Sequence, residues 1–278
     1  KRSLTPDAPP ELSAVYRGEK MPCFRLLASG IESGWLPQAR PVHGDTLPEG
    51  IPHRIAQYWH APALPEEVQP AVATMKAHNP GFAHHLVCDE TARAFIQQHY
   101  GEEKARLFDA CFHATMRSDF WRLCDLYEYG GIYVDVDTTA HAPLTRIAAG
   151  ADFNCMLTYA VGEPWCINNG FLIATPRNAV IHAILTLMFD NVSRFVRTGQ
   201  FENVWVETGP GVTTMATMRW LAKQSVDHNI SPAASGLIFR PYAAVTEAFN
   251  DADMAYKSRP EGNWRGATPT GTSTGRTR

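Results

Sequence analysis

The segment HATMRSDFWRLCDLYEYGGIYVDVDTT, residues 113 to 139, limits the fold more than any other part of the chain. Residues 113–129 repeat apolar positions at helical spacing, the Gly130-Gly131 pair stops that helix, and the chain passes at once into an apolar run. At the two-residue period of a strand the run splits into two faces, Ile132, Val134 and Val136 on one and Tyr133, Asp135 and Asp137 on the other. The first face belongs to a core. The second holds two carboxylates that repel each other and lose hydration unless a cation, a donor-rich ligand or open water compensates. A hard divalent cation compensates best. A strand end running into solvent, with Asp135 and Asp137 as turn residues before Thr138 and Thr139, accounts for the same letters.

The surrounding pattern decides the fold class. IPHRIAQYW (51–59) reads as a strand, PEEVQPAVATMKAHN (65–79) as a helix and AHHLVCD (83–89) as a second strand. ETARAFIQQHY and EEKARLFDA continue as helices with acidic residues in their first turns. FNCMLTY (153–159), GFLIAT (170–175) and LIFRPY (237–242) are further strand signals, separated by a long helix over about 179–197 and another after ETGPG (207–211). Alternating elements predict an α/β fold, a mostly parallel central sheet with helices on both faces. Ligands of such sheets sit at the carboxyl ends of strands, where Asp135 and Asp137 fall.

The ends of the chain read differently. Seven prolines in the first fifty residues (Pro6, Pro9, Pro10, Pro22, Pro37, Pro41, Pro48) predict an irregular lead-in over 1–50, a single domain over 51–265, and a disordered Thr/Gly-rich tail over 266–278. A net charge of -3 gives no global reason to bind nucleic acid or an anionic membrane. The six cysteines form no Cys-x-x-Cys pair and read as scattered reduced core residues, which favours a cytoplasmic setting. No apolar run reaches membrane-spanning length; the longest, AVIHAILTLMF (179–189), is short and contains His182, so no span is expected in this chain. The chain begins at Lys1, which keeps an upstream signal or anchor open, and with it a membrane-associated, Golgi-lumenal or secreted setting.

On the helix before the aspartates, Phe120, Leu123, Cys124 and Tyr127 share one face, while Ser118, Asp119 and Arg122 share another that can reach a ligand. Asp119 and Arg122, three apart, also suit an ordinary ion pair.

The run RSDFWRLCDLYEYGGIYVDVD resembles the Ser-Asp, Arg, Tyr-Gly-Gly-Ile-Tyr-x-Asp-x-Asp block of DXD-type sugar transferases of glycosyltransferase family 32, which includes yeast-type mannosyltransferases and bacterial polysaccharide enzymes. It is similar in the same residues to the catalytic domains of clostridial glucosylating toxins. IPHRIAQYWH resembles the family's opening strand, with Ala56 where a histidine is usual, and KAHNPGFAHHLVCDE resembles its Asn-Pro segment. INNGFLIATP and ETGPGVTT are weaker echoes. The resemblance implies a GT-A fold and a metal-dependent, retaining transfer of a sugar from a UDP- or GDP-linked donor to a hydroxyl of a glycan, polysaccharide or protein. It implies that Trp59 stacks on the base, that Ser118, Asp119 and Arg122 contact the donor's ribose or sugar, and that Tyr133 packs beside them. Asp135 is implied to bind ribose and a metal-bound water, and Asp137 to ligate Mn2+ or Mg2+ directly, so that Asp135, Asp137 and Arg122 carry the catalysis. The family closes its site with a His-x-x-x-Ser-Trp-like stretch. Here no histidine follows His228; Asn263-Trp264 are candidates to replace Ser-Trp at the donor, and Asn250, Asp251 and Asp253 are equally placed alternatives as oxygen ligands, Asp251 or Asp253 for the metal. Asn168, Asn169 and Glu207 are candidates for sugar contacts.

Two other readings use the same residues. IYVDVDTT also fits a haloacid-dehalogenase phosphatase, with Asp135 as nucleophile and Asp137 as general acid, but that fold begins with this strand, and here two strand signals precede it. A catalytically silent nucleotide-sugar-binding module on the same fold is the other.

Overall fold

One proline near the N-terminus, Pro22, starts a helix instead of preventing it. The computed structural model describes residues 8–38, 46–148, 152–259 and 262–269. Within the first stretch lie α1 (Leu12–Tyr16) and α2 (Met21–Glu32), and Pro22 sits in the first turn of α2. There its missing N–H is one that a helix leaves unpaired anyway, and its fixed φ suits the turn. Leu12, Val15, Cys23, Phe24, Leu26 and Leu27 are buried in the main core, and Phe24 stacks on Trp205 at 5.3 Å. The expected irregular lead-in over 1–50 is therefore corrected over 8–38: two helices there are part of the domain's core. Residues 1–7, 39–45 and most of the expected tail, 270–278, lie outside the described residues.

The remaining elements follow the alternation. They are β1 (Arg54–Tyr58), α3 (Gln69–His78), β2 (Ala83–Val87), α4 (Asp89–Asp109), α5 (Ala114–Tyr129), β3 (Gly131–Val134), β4 (Thr138–Ala140), α6 (Thr145–Ala148), β5 (Cys155–Ala160), β6 (Cys166–Ala174), α7 (Ala179–Thr198), α8 (Val204–Glu207), α9 (Pro210–Asp227), β7 (Leu237–Pro241) and β8 (Phe249–Asp251). The two helices expected between 90 and 110 meet as α4 at a break on Gly101 (φ 82, ψ 170). The main sheet has the order β2-β1-β3-β6-β5-β7. β6 runs antiparallel to both its neighbours while every other pairing is parallel, so the sheet is mostly parallel, as the α/β reading requires.

Strand alternation divides the core. Tyr133, Cys155, Leu157, Leu172 and Phe239 face a large cluster with α1, α2, α5, α7 and α9, while Ile132, Val134, Met156, Phe171 and Ile173 face a smaller one with α3 and α6. Helices thus cover both faces. Each large side chain withdrawn from water contributes about 1.5 to 3 kcal/mol, which lets α5, with Phe120, Trp121, Leu123 and Leu126 buried, also carry buried charges. Between α5 and β3 only glycine fits: a Cβ on Gly130 (φ 63) would lie 2.7 Å from Ala174 O, and one on Gly131 (φ 96) 2.7 Å from Arg54 O.

α7 corrects the sequence reading in one respect. Its twenty residues are long and apolar enough, by length and composition, to cross a membrane. In the fold its stripe of Val180, Ile181, Ile184, Leu185, Met188 and Val192 is buried in the main core, and its opposite face carries Arg194 paired to Glu207 at 2.6 Å. The six cysteines are all unpaired.

Candidate active site

β3 ends at Val134, and Asp135 and Asp137 lie in the turn that follows, Thr138 N–H donating to Asp135 O. Both aspartates leave the pleat, and the turn carries them to the carboxyl end of the sheet. β4 then pairs with β8, setting Thr138 opposite Asp251, and Ala252 N–H donates to Asp137 O at 2.9 Å. This pairing draws the C-terminal segment 252–259 across the turn.

A cleft of about 560 Å³ opens there. Its walls include Trp59, Ser118, Arg122, Asp135, Asp137 and Trp264, residues from four separate parts of the sequence, together with Asp251. A hollow of about 190 Å³ adjoins it, sharing Arg122, Asp135, Asn168 and Trp264 and adding Asp119, Asn169 and the start of α9 at Gly209-Pro210.

The polar centre is a network on α5. Asp119 is 2% exposed, and its carboxylate accepts from Asn169 Nδ2 (2.9 Å) and Thr208 Oγ1 (2.9 Å) and faces Arg122 at 3.1 Å. Burial pushes the Asp119 carboxyl up; Arg122 and the two hydrogen bonds hold it down. Arg122 is itself buried. It donates to Asn169 O (2.5 Å) and Ser118 Oγ (2.9 Å), lies over the Tyr133 ring at 4.3 Å, and reaches Asp135 at 3.3 Å. Tyr133 Oη donates to Asp135 Oδ1 at 2.8 Å and sits 3.0 Å from Ser118 Oγ. Two buried ions cost several kcal/mol each to desolvate, and only a network this complete offsets that. Asp135 lies on the cleft floor with 42% of its side-chain surface open, yet withdrawal from bulk water pushes it up to about 6, Asp137 adding to the rise against the pull of Arg122.

Asp137 is held from the other side. Lys257 Nζ lies 2.7 Å and Tyr256 Oη 2.9 Å from its Oδ2. Among the described residues no group of three or more His, Cys, Asp or Glu is arranged to hold a metal ion. The donors that converge are the carboxylates of Asp135 and Asp137, hard oxygens suited to Mn2+ or Mg2+. The Lys257 ammonium on Asp137 is a stand-in cation, drawn to a carboxylate oxygen that a hard divalent ion would also suit.

The other sequence candidates divide. Trp59 is 9% exposed, packed with Val68, Ala71, Val72, Val136 and Met254 and meeting Tyr256 edge-on at 5.1 Å, so it is both a cleft wall and a member of a small core. Trp264 faces the cleft, but Asn263 is exposed and its Oδ1 accepts from Arg265 N. Asp251 lines the cleft and accepts from Tyr242 Oη at 2.6 Å, whereas Asp253 is exposed and outside its lining. Asn168 and Asn169 reach the site, Asn168 through the walls of both hollows. Glu207 does not; it is buried against Arg194. Sequence reasoning passed over Tyr256, Lys257 and Gly170. The last is visible only in space: a Cβ on it would lie 2.5 Å from Asp135 Oδ2.

Comparison with known proteins covers this same stretch. Residues 65–154 match the family model described as the glycosyltransferase sugar-binding region containing DXD motif. The matched region holds Ser118, Asp119, Arg122, Asp135 and Asp137 but stops short of Trp59 on one side and of the 252–259 segment on the other. The chain is 28% identical over 171 residues to inositol phosphoceramide mannosyltransferase 1 of Schizosaccharomyces pombe, covering 58% of this chain and 50% of that protein. It is 26% identical over 100 residues to the initiation-specific alpha-1,6-mannosyltransferase of Candida albicans, covering 34% of this chain and 26% of that protein. The chain thus spans half the length, or less, of these curated relatives. Among solved structures it is similar to PaToxG glycosyltransferase, with a TM-score of 0.45 at 17% identity, covering 81% of this chain and 87% of that one.

Proposed function

We propose that the chain is a metal-dependent, retaining glycosyltransferase that moves a sugar from a UDP- or GDP-linked donor to a hydroxyl of a glycan, polysaccharide or protein. One observation carries the reading: an aromatic wall (Trp59), a buried Asp119–Arg122 pair and the Asp135/Asp137 carboxylates converge on one cleft and its adjoining hollow at the carboxyl ends of the strands, within and beside a segment that matches the DXD region. In this reading Trp59 flanks the base, and Asp119 and Arg122 hold the ribose or sugar in the adjoining hollow. Asp137 and, through water, Asp135 hold Mn2+ or Mg2+. The ion would supply Lewis-acid neutralisation of the diphosphate leaving group. The rigid α5 network orients the sugar without reorganising, which is where preorganised polar sites gain their rate. The six unpaired cysteines support a cytoplasmic setting as part of the same proposal.

A silent binding module on this fold has one observation in its favour, the Lys257 ammonium seated on Asp137. A donor panel separates the two. Purified protein is incubated with UDP- and GDP-linked sugars, a mannosyl donor included because the named relatives are mannosyltransferases, with Mn2+ or Mg2+ and with or without an acceptor. Metal-dependent release of nucleoside diphosphate that EDTA stops is the expected result. Donor binding without release from any donor would overturn the enzyme reading.

A further inference from the structure

The two aspartates of the turn each have an internal cation, and the two cations are built differently. Arg122, beside Asp135, has a side chain only 4% exposed, is fixed by Asn169 O and Ser118 Oγ, and is stacked on Tyr133. It has nowhere to go. Lys257, beside Asp137, is 35% exposed at its side chain and stands on the 3-10 turn Ala255–Ser258. Among the described residues its other hydrogen bond is to Ala252 O at 2.8 Å. An ammonium on a four-carbon stem is a movable point charge, where a stacked guanidinium is not.

We infer that Lys257 is a removable counter-ion: it neutralises Asp137 until a divalent cation takes its place, and then turns to the donor's diphosphate. The inference rests on the metal-dependent reading above. Three observations support it. Both donors on Asp137, Lys257 Nζ and Tyr256 Oη, fall on Oδ2, so one carboxylate oxygen is already organised for positive charge. Asp137 is 8% exposed and stands near Asp135, so leaving it ionised without a cation would be costly. Finally, Lys257 lines the cleft together with Arg259 and Arg265, so a displaced ammonium stays within reach of a bound polyanion. A dication at Asp137 repels the ammonium, and the phosphate oxygens receive it.

The inference predicts opposite effects of one substitution. Mn2+ is titrated into wild type, Lys257→Met and Lys257→Arg, free ion being read by electron paramagnetic resonance, first alone and then with UDP or GDP. Without nucleotide, Lys257→Met loses a competitor and binds Mn2+ at least about fivefold tighter, while Lys257→Arg stays within about twofold of wild type. With nucleotide, Lys257→Met binds the metal and diphosphate together at least about fivefold more weakly, because the freed ammonium is missing. Equal Mn2+ affinity in wild type and Lys257→Met, or a gain in both variants, overturns the exchange and leaves the metal reading standing. No Mn2+ binding by any of the three proteins, with or without nucleotide, removes the metal reading and the exchange with it.

Discussion

Gly170 stands across from Asp135 so closely that a methyl group on it would lie 2.5 Å from Asp135 Oδ2 and 3.1 Å from Asn168 Oδ1. Gly170 is held in place by its own bonds, its N–H donating to Asn168 Oδ1 and its carbonyl accepting from Asp135 N. It is the space into which the carboxylate fits. If Asp135 acts on the donor as proposed, Gly170→Ala displaces that carboxylate and lowers the rate of donor cleavage on the order of a hundredfold, the loss typical of a misplaced catalytic group. The same change restricts the unfolded chain, so the urea midpoint should stay level or fall only slightly. A variant with at least half of wild-type turnover would show that the carboxylate does not need this space.

Asp137→Ala should lower the rate at least about a hundredfold, as losing a main electrostatic stabiliser of the leaving group does. EDTA should silence the wild type, and added Mn2+ or Mg2+ should restore it. Asp135→Asn tests the phosphatase alternative in the same preparation, since hydrolysis of simple phosphate esters is expected to be absent before and after the change. Turnover that persists in EDTA would separate the carboxylates from any metal.

What the sequence showed and what it hid follow from the range of the interactions involved. α5, the glycine stop and the start of β3 are written in local period and local backbone freedom and stand where the letters place them, although β3 ends at Val134. The alternation gave the mostly parallel sheet for the same reason, although β6 reverses direction within it. Asp135 and Asp137 were legible as a pair, but the two-residue period carried them onto a strand face when they lie in a turn. α2 was hidden because proline reads as a breaker unless its place in the first turn is known, and α1, five residues long, is too short to show a helical period. Lys257 and Tyr256 were hidden for a different reason. Their segment has no period of its own, and the β4–β8 pairing, set by residues more than a hundred positions apart, brings them to Asp137.

His84 on β2 gives a pH signature of stability. Both ring nitrogens are buried without a hydrogen-bond partner among the described residues, and burial lowers its pKa from 6.5 to about 4, Lys76 and His85 adding to the effect. The folded protein therefore resists a proton that the unfolded chain accepts between about pH 6.5 and 4. This contribution is fully present above pH 6.5 and is lost as the pH falls through that window. Urea midpoints measured from pH 7.5 to 4.5 should decline more steeply in wild type than in His84→Leu, and parallel curves would show that His84 titrates normally.

Trp59 carries the last test, because its position gives it two roles at once. At 9% exposure it is a core residue by packing, and removing a side chain of that size costs about 3 to 5 kcal/mol. It also walls the cleft, where a stacking platform is worth about 1 to 3 kcal/mol of nucleotide binding. Trp59→Ala alone cannot separate these, since the destabilised variant binds poorly for either reason. Trp59→Phe can: it keeps most of the contact with Val68, Val72 and Met254 while shrinking the surface offered to a base. We expect Trp59→Ala to unfold several degrees earlier and to bind nucleoside diphosphate at least about tenfold more weakly, and Trp59→Phe to recover most of the stability but only part of the binding. If Trp59→Phe binds as tightly as wild type, the tryptophan holds the cleft wall in place and does not touch the nucleotide.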